Sequence, residues 1–379
     1  MNFELNEEQK LLLSTVRDFA EREVKPIASD IEETMHFPVE LIPKMSQMGL
    51  MGMQVPQELG GSDLDTVSYA LAIEELARVS ASVSIIVSVH NSLVLHPFLK
   101  YGNEGQKMKY VTELAAGRRL GAYCITEATA GSDVSNERST AVKHGKSYLL
   151  NGEKLYITNG EKADIFFVMA RTGHSDRTHS LSAFIVERDF PGFTVTAPEK
   201  KMGLNASGTV SVKMDDCEVP EENLLGTEGM GMKIALSTLD AGRIGVAAQS
   251  LGIAQGSLDA AIDYSKQREQ FGKRISEFQA IQWMIADMAT RIEASRLLLC
   301  KAAYLKDKGM DFSLLASMAK LYASETANMA ADRAVQIHGG LGYIRGTPVE
   351  RFYRDARVTE IYEGTSEIQR LVISRKMLR

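Results

Sequence analysis

The fold class predicted here is mainly α with a central antiparallel β-domain, and three observations predict it. Apolar residues recur at helical spacing through roughly the first 119 residues. Short β-branched and aromatic runs replace them between about 120 and 225. From Pro220 the next proline is Pro348, and the residues between are rich in Ala, Leu, Met, Glu and Lys, as long helices require. The 379 residues therefore divide into an N-terminal all-helical domain (1–119), a middle β-domain (120–225) and a C-terminal helical bundle domain (226–379), without internal repeats.

Each element has a local reason. Asn6 followed by Gln9 reads as a capping box, and Leu12, Val16, Phe19 and Ala20 continue the helix to Pro26. Helical patterns follow over Val39 to Gly49, Thr66 to Arg78, Val79 to His96 and Glu104 to Ala116. The run from Val79 to Leu99 is long enough to span a bilayer, but Ser80, Ser82, Ser84, Ser88, His90, Asn91, Ser92 and His96 would all need partners in lipid. It reads as a buried, partly polar helix. Strand patterns cover Ser147 to Leu150, Lys154 to Thr158, Ile165 to Ala170, Ala183 to Glu187, Phe193 to Thr196 and Thr209 to Met214. Asn151-Gly152, between the first two, predicts a type I′ hairpin turn. In the last third, Ile281, Met284, Ile285, Met288 and Ile292 form one apolar stripe; similar stripes run through Ala235 to Tyr264 and Leu314 to Ile337, two of the helices exceeding twenty residues. Such helices point to a bundle and to subunit contacts.

Composition narrows the function. Lys and Arg number 43 against 49 Asp and Glu, a net charge of −6, so no general basic field exists to hold a nucleic acid. Cys124, Cys217 and Cys300 lie far apart with no CxxC spacing, and the seven histidines show no ligand spacing, so neither a disulfide framework nor a metal site is expected. The first residues show neither a basic leader nor an Arg- and Ser-rich transit segment, and a cytoplasmic location is expected. Gly145-Lys146-Ser147 lacks the upstream glycine of a phosphate-binding loop, and Gly229-Met230-Gly231 and Gly340-Leu341-Gly342 lack the third glycine of a dinucleotide fingerprint.

Four segments carry chemistry. Tyr123 to Asp133 is a strand-like run breaking into small residues, where backbone amides can approach a flat ring. Tyr156-Ile157-Thr158-Asn159-Gly160 sets an aromatic and a hydroxyl at a strand end. Arg268-Glu269-Gln270-Phe271-Gly272, with Phe278-Gln279, breaks two long helices and carries an arginine able to grip a phosphate. The fourth runs from Gln336-Ile337-His338-Gly339-Gly340 to Tyr362-Glu363-Gly364-Thr365-Ser366, where Ser366 and Gln369 read as a capping box at a helix N-terminus and Glu363 precedes it in an apolar setting.

Taken together and in order, these motifs resemble the acyl-CoA dehydrogenase family of flavoenzymes from Leu5 to the end. The resemblance implies an N-terminal helical domain, a β-barrel-like middle domain and a C-terminal four-helix bundle, with FAD as cofactor. It implies FAD contacts from Tyr123, Ile125, Thr126, Gly131, Ser132, Tyr156, Ile157 and Thr158 around the isoalloxazine. Arg268, Gln270, Phe271, Gln279, Gln336, Gly339 and Gly340 are implied for the pyrophosphate and adenosine, several from a neighbouring subunit, with Thr365 and Glu367 closing the site. A shared cofactor implies a homo-oligomer, a dimer or a tetramer, of which the resemblance favours a tetramer built as a dimer of dimers. Ser132, Asp240, Arg243, Tyr362 and Gly364 match substrate-contacting positions.

By the same resemblance Glu363 is the base that removes the α-proton of an acyl-CoA thioester as the β-hydrogen leaves as hydride, giving the trans-2-enoyl product. One branch of the family carries its base at the position of Gly242; this chain has glycine there and resembles the short-chain, butyryl-type branch through Ser88 to Leu93 and Leu239 to Arg243. The chain departs from the pattern at Tyr156, where the family usually has Trp, and at Ala128-Thr129 in place of Pro-Gly. An electron-transferring flavoprotein is the implied electron acceptor. The competing readings are a same-fold oxidase, a dehydrogenase of branched or CoA-modified acids, and a non-catalytic assembly protein, which would be expected to lack Glu363.

Overall fold

The computed structural model describes residues 4–173 and 179–378. Eight helices come first: α1 (Glu7–Phe19), α2 (Ala28–Thr34), α3 (Leu41–Gln47), α4 (Thr66–Val79), α5 (Ala81–Ser88), α6 (His96–Tyr101), α7 (Glu104–Gln106) and α8 (Thr112–Ala115). The capping box at Asn6 forms as expected, each residue bonding the other's backbone amide. The predicted helix over Val79 to His96 is instead broken at Ser80. That residue leaves helical geometry (φ −146°) and caps α5 by accepting from Val83 N. A π-helical turn, Val89–Leu95, then joins α5 to α6. The stretch Ala81–Tyr101 is long and apolar enough to cross a membrane, but most of it is buried inside the protein.

The sheet contains β1 (Gly121–Cys124), β2 (Thr140–His144), β3 (Ser147–Ile157), β4 (Ile165–Arg171), β5 (Leu181–Glu187), β6 (Phe193–Val195), β7 (Val210–Pro220) and β8 (Leu224–Leu225), ordered β6-β7-β3-β2-β4-β5-β8. Pairing is antiparallel except that β1, and one position of β2, run parallel to β4. Strand β4 reads as an unbroken apolar run because both its faces are covered. Ile165, Phe167 and Met169 pack against helices of the first third, while Phe166, Val168 and Ala170 pack against Tyr148, Leu150 and Val212 of the sheet.

One sequence expectation is overturned here. Asn151-Gly152 is not a hairpin turn: Ser147–Ile157 is a single strand, and its register against β7 shifts between Leu150 and Gly152, a β-bulge. The Asn151 side chain accepts from Asp216 N (2.9 Å) and donates to Asp216 Oδ1 (2.8 Å), fixing the bulge to β7. Gly152 takes φ +145°, and a Cβ there would strike Ser139. The hairpin turn lies at Gly145-Lys146 instead, closing β2 onto β3.

The last third holds α9 (Gly231–Gln267), a small hairpin of β9 (Glu269–Gln270) and β10 (Lys273–Arg274), then α10 (Gln279–Asp307), α11 (Ser313–His338), α12 (Pro348–Val358) and α13 (Ser366–Met377). Three of these helices, of 37, 29 and 26 residues, exceed twenty rather than the two expected. Helix α9 is buried on nearly every side, between α11, α10 and α4. It thereby carries the middle of the bundle up to the helices of the first third, and the site lies where they meet.

Candidate active site

Glu363 stands in the turn between α12 and α13, and the turn is made by two consecutive residues of positive φ, Glu363 (+52°) and Gly364 (+97°). A non-glycine residue in this region is uncommon and needs its surroundings to hold it. Gln369 Nε2 donates to Gly364 O (2.9 Å) and Glu363 O (3.3 Å), and Lys320 Nζ donates to Gly364 O (2.8 Å). The expected cap is corrected by one residue. Thr365, not Ser366, caps α13 by accepting from Ile368 N, and Gln369 reaches back to the two carbonyls instead of completing a box with Ser366.

The Glu363 side chain points into the interior. Both carboxylate oxygens are sealed from solvent and have no hydrogen-bond partner. Burial raises the carboxyl to about 7 from an ordinary 4.5, with Lys320 and then Arg243 opposing the rise. Arg243, on α9, is held by Asp240 and by Ser317 Oγ (3.2 Å). Val89, Leu93, Leu239 and Tyr362 belong to one apolar cluster that also contains Tyr123 and Ile125 at the end of β1. Tyr362 hydrogen-bonds Gln249, and Tyr69 Oη lies 2.9 Å from Ser88 Oγ. An added Cβ on Gly242 would meet the Glu363 carboxylate and Leu93, so position 242 and residue 363 compete for one spot.

The second wall is the sheet. After β1, the segment Thr126 to Asp133 is pinned by Leu155 N donating to Thr126 O (2.8 Å) and by Glu127, which accepts from Arg138 N, Ser139 N and Lys154 Nζ. Lys154 is fully buried and also reaches Glu137 (2.9 Å). Burial works to raise Glu127, but Lys154 and the two amides hold it below its ordinary value. Glu137, with one oxygen unpartnered, is pushed by burial to about 8 despite Lys154. Above this base Gly131 and Ser132 are exposed, and nothing stands within 4 Å of where a Gly131 Cβ would be. At the end of β3, Tyr156 (φ +60°) turns its ring outward, 69% exposed, between a buried Lys154 and a buried Ile157. Asn159 anchors this strand end to α5 and to β1 by donating to Ile86 O (3.0 Å) and Gly121 O (3.2 Å).

A third group stays apart. Arg268, Gln270, Phe271, Gln279, Gln336, Gly339 and Gly340 are all exposed at the far end of the bundle. They are held together there by Tyr264 of α9 stacking on His338 of α11 at 4.3 Å and by Phe271 edge-on to Phe278. Gly242 and Tyr264 are separated on α9 by about 33 Å at 1.5 Å per residue. The sequence motifs thus form two clusters within one chain, not one. The open space at Gly131, Gly339 and Gly340, the outward ring of Tyr156, and the hydroxyls of Thr126, Ser132 and Thr158 suit a flat ring system at one end and a phosphate-bearing tail at the other. The residues present fit FAD.

Sequence reasoning passed over Lys154, Glu137 and Lys320, and gave Gln369 a capping role in place of its bonds to the Glu363 and Gly364 carbonyls. A lysine in a helix or strand carries no local sign of burial, so only the apolar neighbours of Lys154 and the small residues around Lys320 hinted at it.

Models of the N-terminal, middle and C-terminal domains of acyl-CoA dehydrogenase match residues 6–118, 122–217 and 229–378. The chain belongs to the acyl-CoA dehydrogenase family. It is 48% identical to the short-chain specific acyl-CoA dehydrogenase of Clostridium acetobutylicum, with all of both chains covered. Among solved structures it resembles butyryl-CoA dehydrogenase from Megasphaera elsdenii (TM-score 0.98, 44% identity, both chains fully covered). It also matches a chain of a structure described as "Electron transferring flavoprotein of Acidaminococcus fermentans: Towards a mechanism of flavin-based electron bifurcation" (TM-score 0.99, 48% identity, both chains fully covered). As an acyl-CoA dehydrogenase the chain is an FAD-dependent oxidoreductase.

Proposed function

We propose that this acyl-CoA dehydrogenase converts a short- to medium-chain acyl-CoA to its trans-2-enoyl-CoA, with Glu363 taking the α-proton. The observation that carries this reading is the Glu363 carboxylate: buried, without a hydrogen-bond partner, and raised to about 7. A carboxylate in that condition is a competent proton acceptor near neutral pH, whereas an exposed one at its ordinary value is a weak base. FAD, when bound, supplies the acceptor for the β-hydrogen. Tyr123, Ile125, Thr126, Gly131, Ser132, Tyr156, Ile157 and Thr158 would hold the ring end, and Thr365 and Glu367 would close over it.

Binding the acyl chain against Val89, Leu93, Leu239 and Tyr362 would orient the α-carbon towards a carboxylate that is already sealed from water. The backbone N–H of Glu363 would polarise the thioester oxygen, since the turn at 363–364 directs carboxylate and amide from one residue. Ser132, Asp240, Arg243, Tyr362 and Gly364 would contact the thioester and CoA. The polar pairs Tyr69–Ser88 and Tyr362–Gln249 close the apolar wall, which favours a chain of few carbons, in keeping with the short-chain and butyryl-CoA relatives.

Arg268, Gln270, Phe271, Gln279, Gln336, Gly339 and Gly340 lie too far along the bundle to serve the same cofactor as their own Glu363. They would hold the FAD of a neighbouring subunit, which makes the working form at least a dimer, and a tetramer arranged as a dimer of dimers is the assembly proposed. The boundaries 1–119, 120–225 and 226–379 complete this reading, with an electron-transferring flavoprotein as the electron acceptor. The test is anaerobic addition of butyryl-CoA to the FAD-loaded protein. Bleaching of the flavin absorbance supports the reading, and no bleaching with acyl chains of any length would sink it.

A further inference from the structure

Lys320 sits in the middle of α11 and is completely buried, a position where an ammonium is costly unless something uses its charge. Its neighbours along the helix, Ala316, Ser317, Ala319 and Ala323, are small and buried, leaving room for the long side chain to reach the Glu363 turn. There it makes one hydrogen bond, to Gly364 O at 2.8 Å. The same oxygen receives Gln369 Nε2 from α13, so two helices grip a single carbonyl inside the turn. The Glu363 carboxylate beside it is left without a partner.

The charged and titratable groups around Glu363 come from every element packed on the turn. Lys320 approaches from α11 and Arg243 from α9; the phenols are Tyr362 in the turn, Tyr123 on β1 and Tyr69 on α4. Glu360 and Glu367 face Lys320 from the ends of the turn. The two cations are not equivalent. Arg243 is already ion-paired with Asp240, whereas among the described residues Lys320 makes no ion pair. The less compensated charge is the one the carboxylate feels more strongly, and Lys320 is the largest influence opposing the effect of burial on Glu363.

We propose that Lys320 is a positioning residue for the base: its ammonium pins the Gly364 carbonyl, and with it the Glu363 turn, while its charge keeps the free carboxylate in the proton-accepting form. The proposal rests on Glu363 being the base. By touching a carbonyl and not the carboxylate, the lysine supports the anion without occupying its lone pairs, so the proton site stays open to substrate. Direct pairing would lower the base's proton affinity far more and block its approach to an α-carbon.

Two variants separate the two effects. Lys320→Met keeps length but loses both hydrogen bond and charge; Lys320→Gln keeps a donor for Gly364 O without the charge. In the FAD-loaded enzyme, the acid limb of kcat/KM should move up by about one pH unit in both, with about tenfold lower kcat/KM below the limb and little change above it. KM for the acyl-CoA should rise more in Lys320→Met than in Lys320→Gln, because only the former frees the turn. Independently of turnover, the infrared carboxyl stretch of Glu363, assigned by its absence in Glu363→Gln, should titrate at correspondingly higher pH in both variants.

An unmoved limb and an unmoved infrared midpoint would overturn the proposal. So would loss of fold in both uncharged variants and in Lys320→Arg alike, since Lys320 would then be a packing residue. Turnover retained in Glu363→Gln would overturn the base reading instead, and the infrared midpoint would still report whether Lys320 governs the charge of Glu363.

Discussion

Two buried lysines in this protein lie beside buried carboxylates and treat them in opposite ways. Lys154, under the Thr126 to Asp133 segment, touches both of its carboxylates, Glu127 at 2.8 Å and Glu137 at 2.9 Å. Lys320 touches only a backbone carbonyl and leaves Glu363 free. In the first cluster one ammonium meets two acids. Glu127, with two further amide donors, keeps its charge, and Glu137, raised to about 8, holds a proton at neutral pH, so the group is close to neutral and fixed. In the second the acid is poised near 7 with nothing bonded to it. Direct contact ties the loop to its carboxylates, and withheld contact leaves the Glu363 oxygens unpaired.

The largest expected effect breaks the second half of that contrast. Glu363→Gln should lower kcat by about 10²–10⁴-fold while FAD and acyl-CoA still bind, as read by anaerobic flavin bleaching and equilibrium titration. Lys154→Met tests the first half. It leaves the Glu127 carboxylate without its cation and Glu137 without its hydrogen-bond donor, and the chemical-denaturation midpoint should fall by an amount equivalent to about 3–5 kcal/mol, with weakened flavin retention. An unchanged midpoint would show that the pairing does not hold the loop.

A smaller effect is expected from Gly242→Ala, whose methyl enters the space of the Glu363 carboxylate and Leu93. Overpacking of this kind costs about 1–3 kcal/mol, and kcat/KM should fall while the far cluster at Arg268 is untouched. The smallest effect concerns pH. A carboxyl raised from 4.5 to about 7 binds its proton more tightly in the folded chain than in the unfolded one, so the stability it contributes is present at low pH and lost as pH rises through 7. Above pH 7, Glu363→Gln should therefore melt a few degrees higher than the parent, and the difference should vanish below pH 4.5. A variant equally or less stable at pH 8 would argue against a strained anion at this position.

Much of this architecture was legible before folding was considered. The capping box at Asn6, the helical stripes of the last third and the period change near residue 120 are local patterns, and local patterns survive without knowledge of neighbours. The failures are equally instructive. Asn151-Gly152 carries a strong turn signal, yet Asp216, sixty-five residues on, captures the Asn151 side chain and makes it a bulge. Ser366 looked like the cap of α13, but the turn uses Thr365 and spends Gln369 on two carbonyls. In the first place a long-range partner outbid a short-range one; in the second two local arrangements competed, and the one that serves the positive-φ turn at 363–364 won.

The sequence by itself determined the fold class, the order of elements and the family motifs around Glu363, because hydrophobic period, turn chemistry and motif spacing are written along the chain. Tertiary structure alone decided that those motifs fall into two clusters some 33 Å apart along α9. It also decided the environment that tunes Glu363, since desolvation and charge act through space. Whether a lysine reaches a carboxylate or a carbonyl depends on where α11 packs, a fact that no stretch of neighbouring residues records.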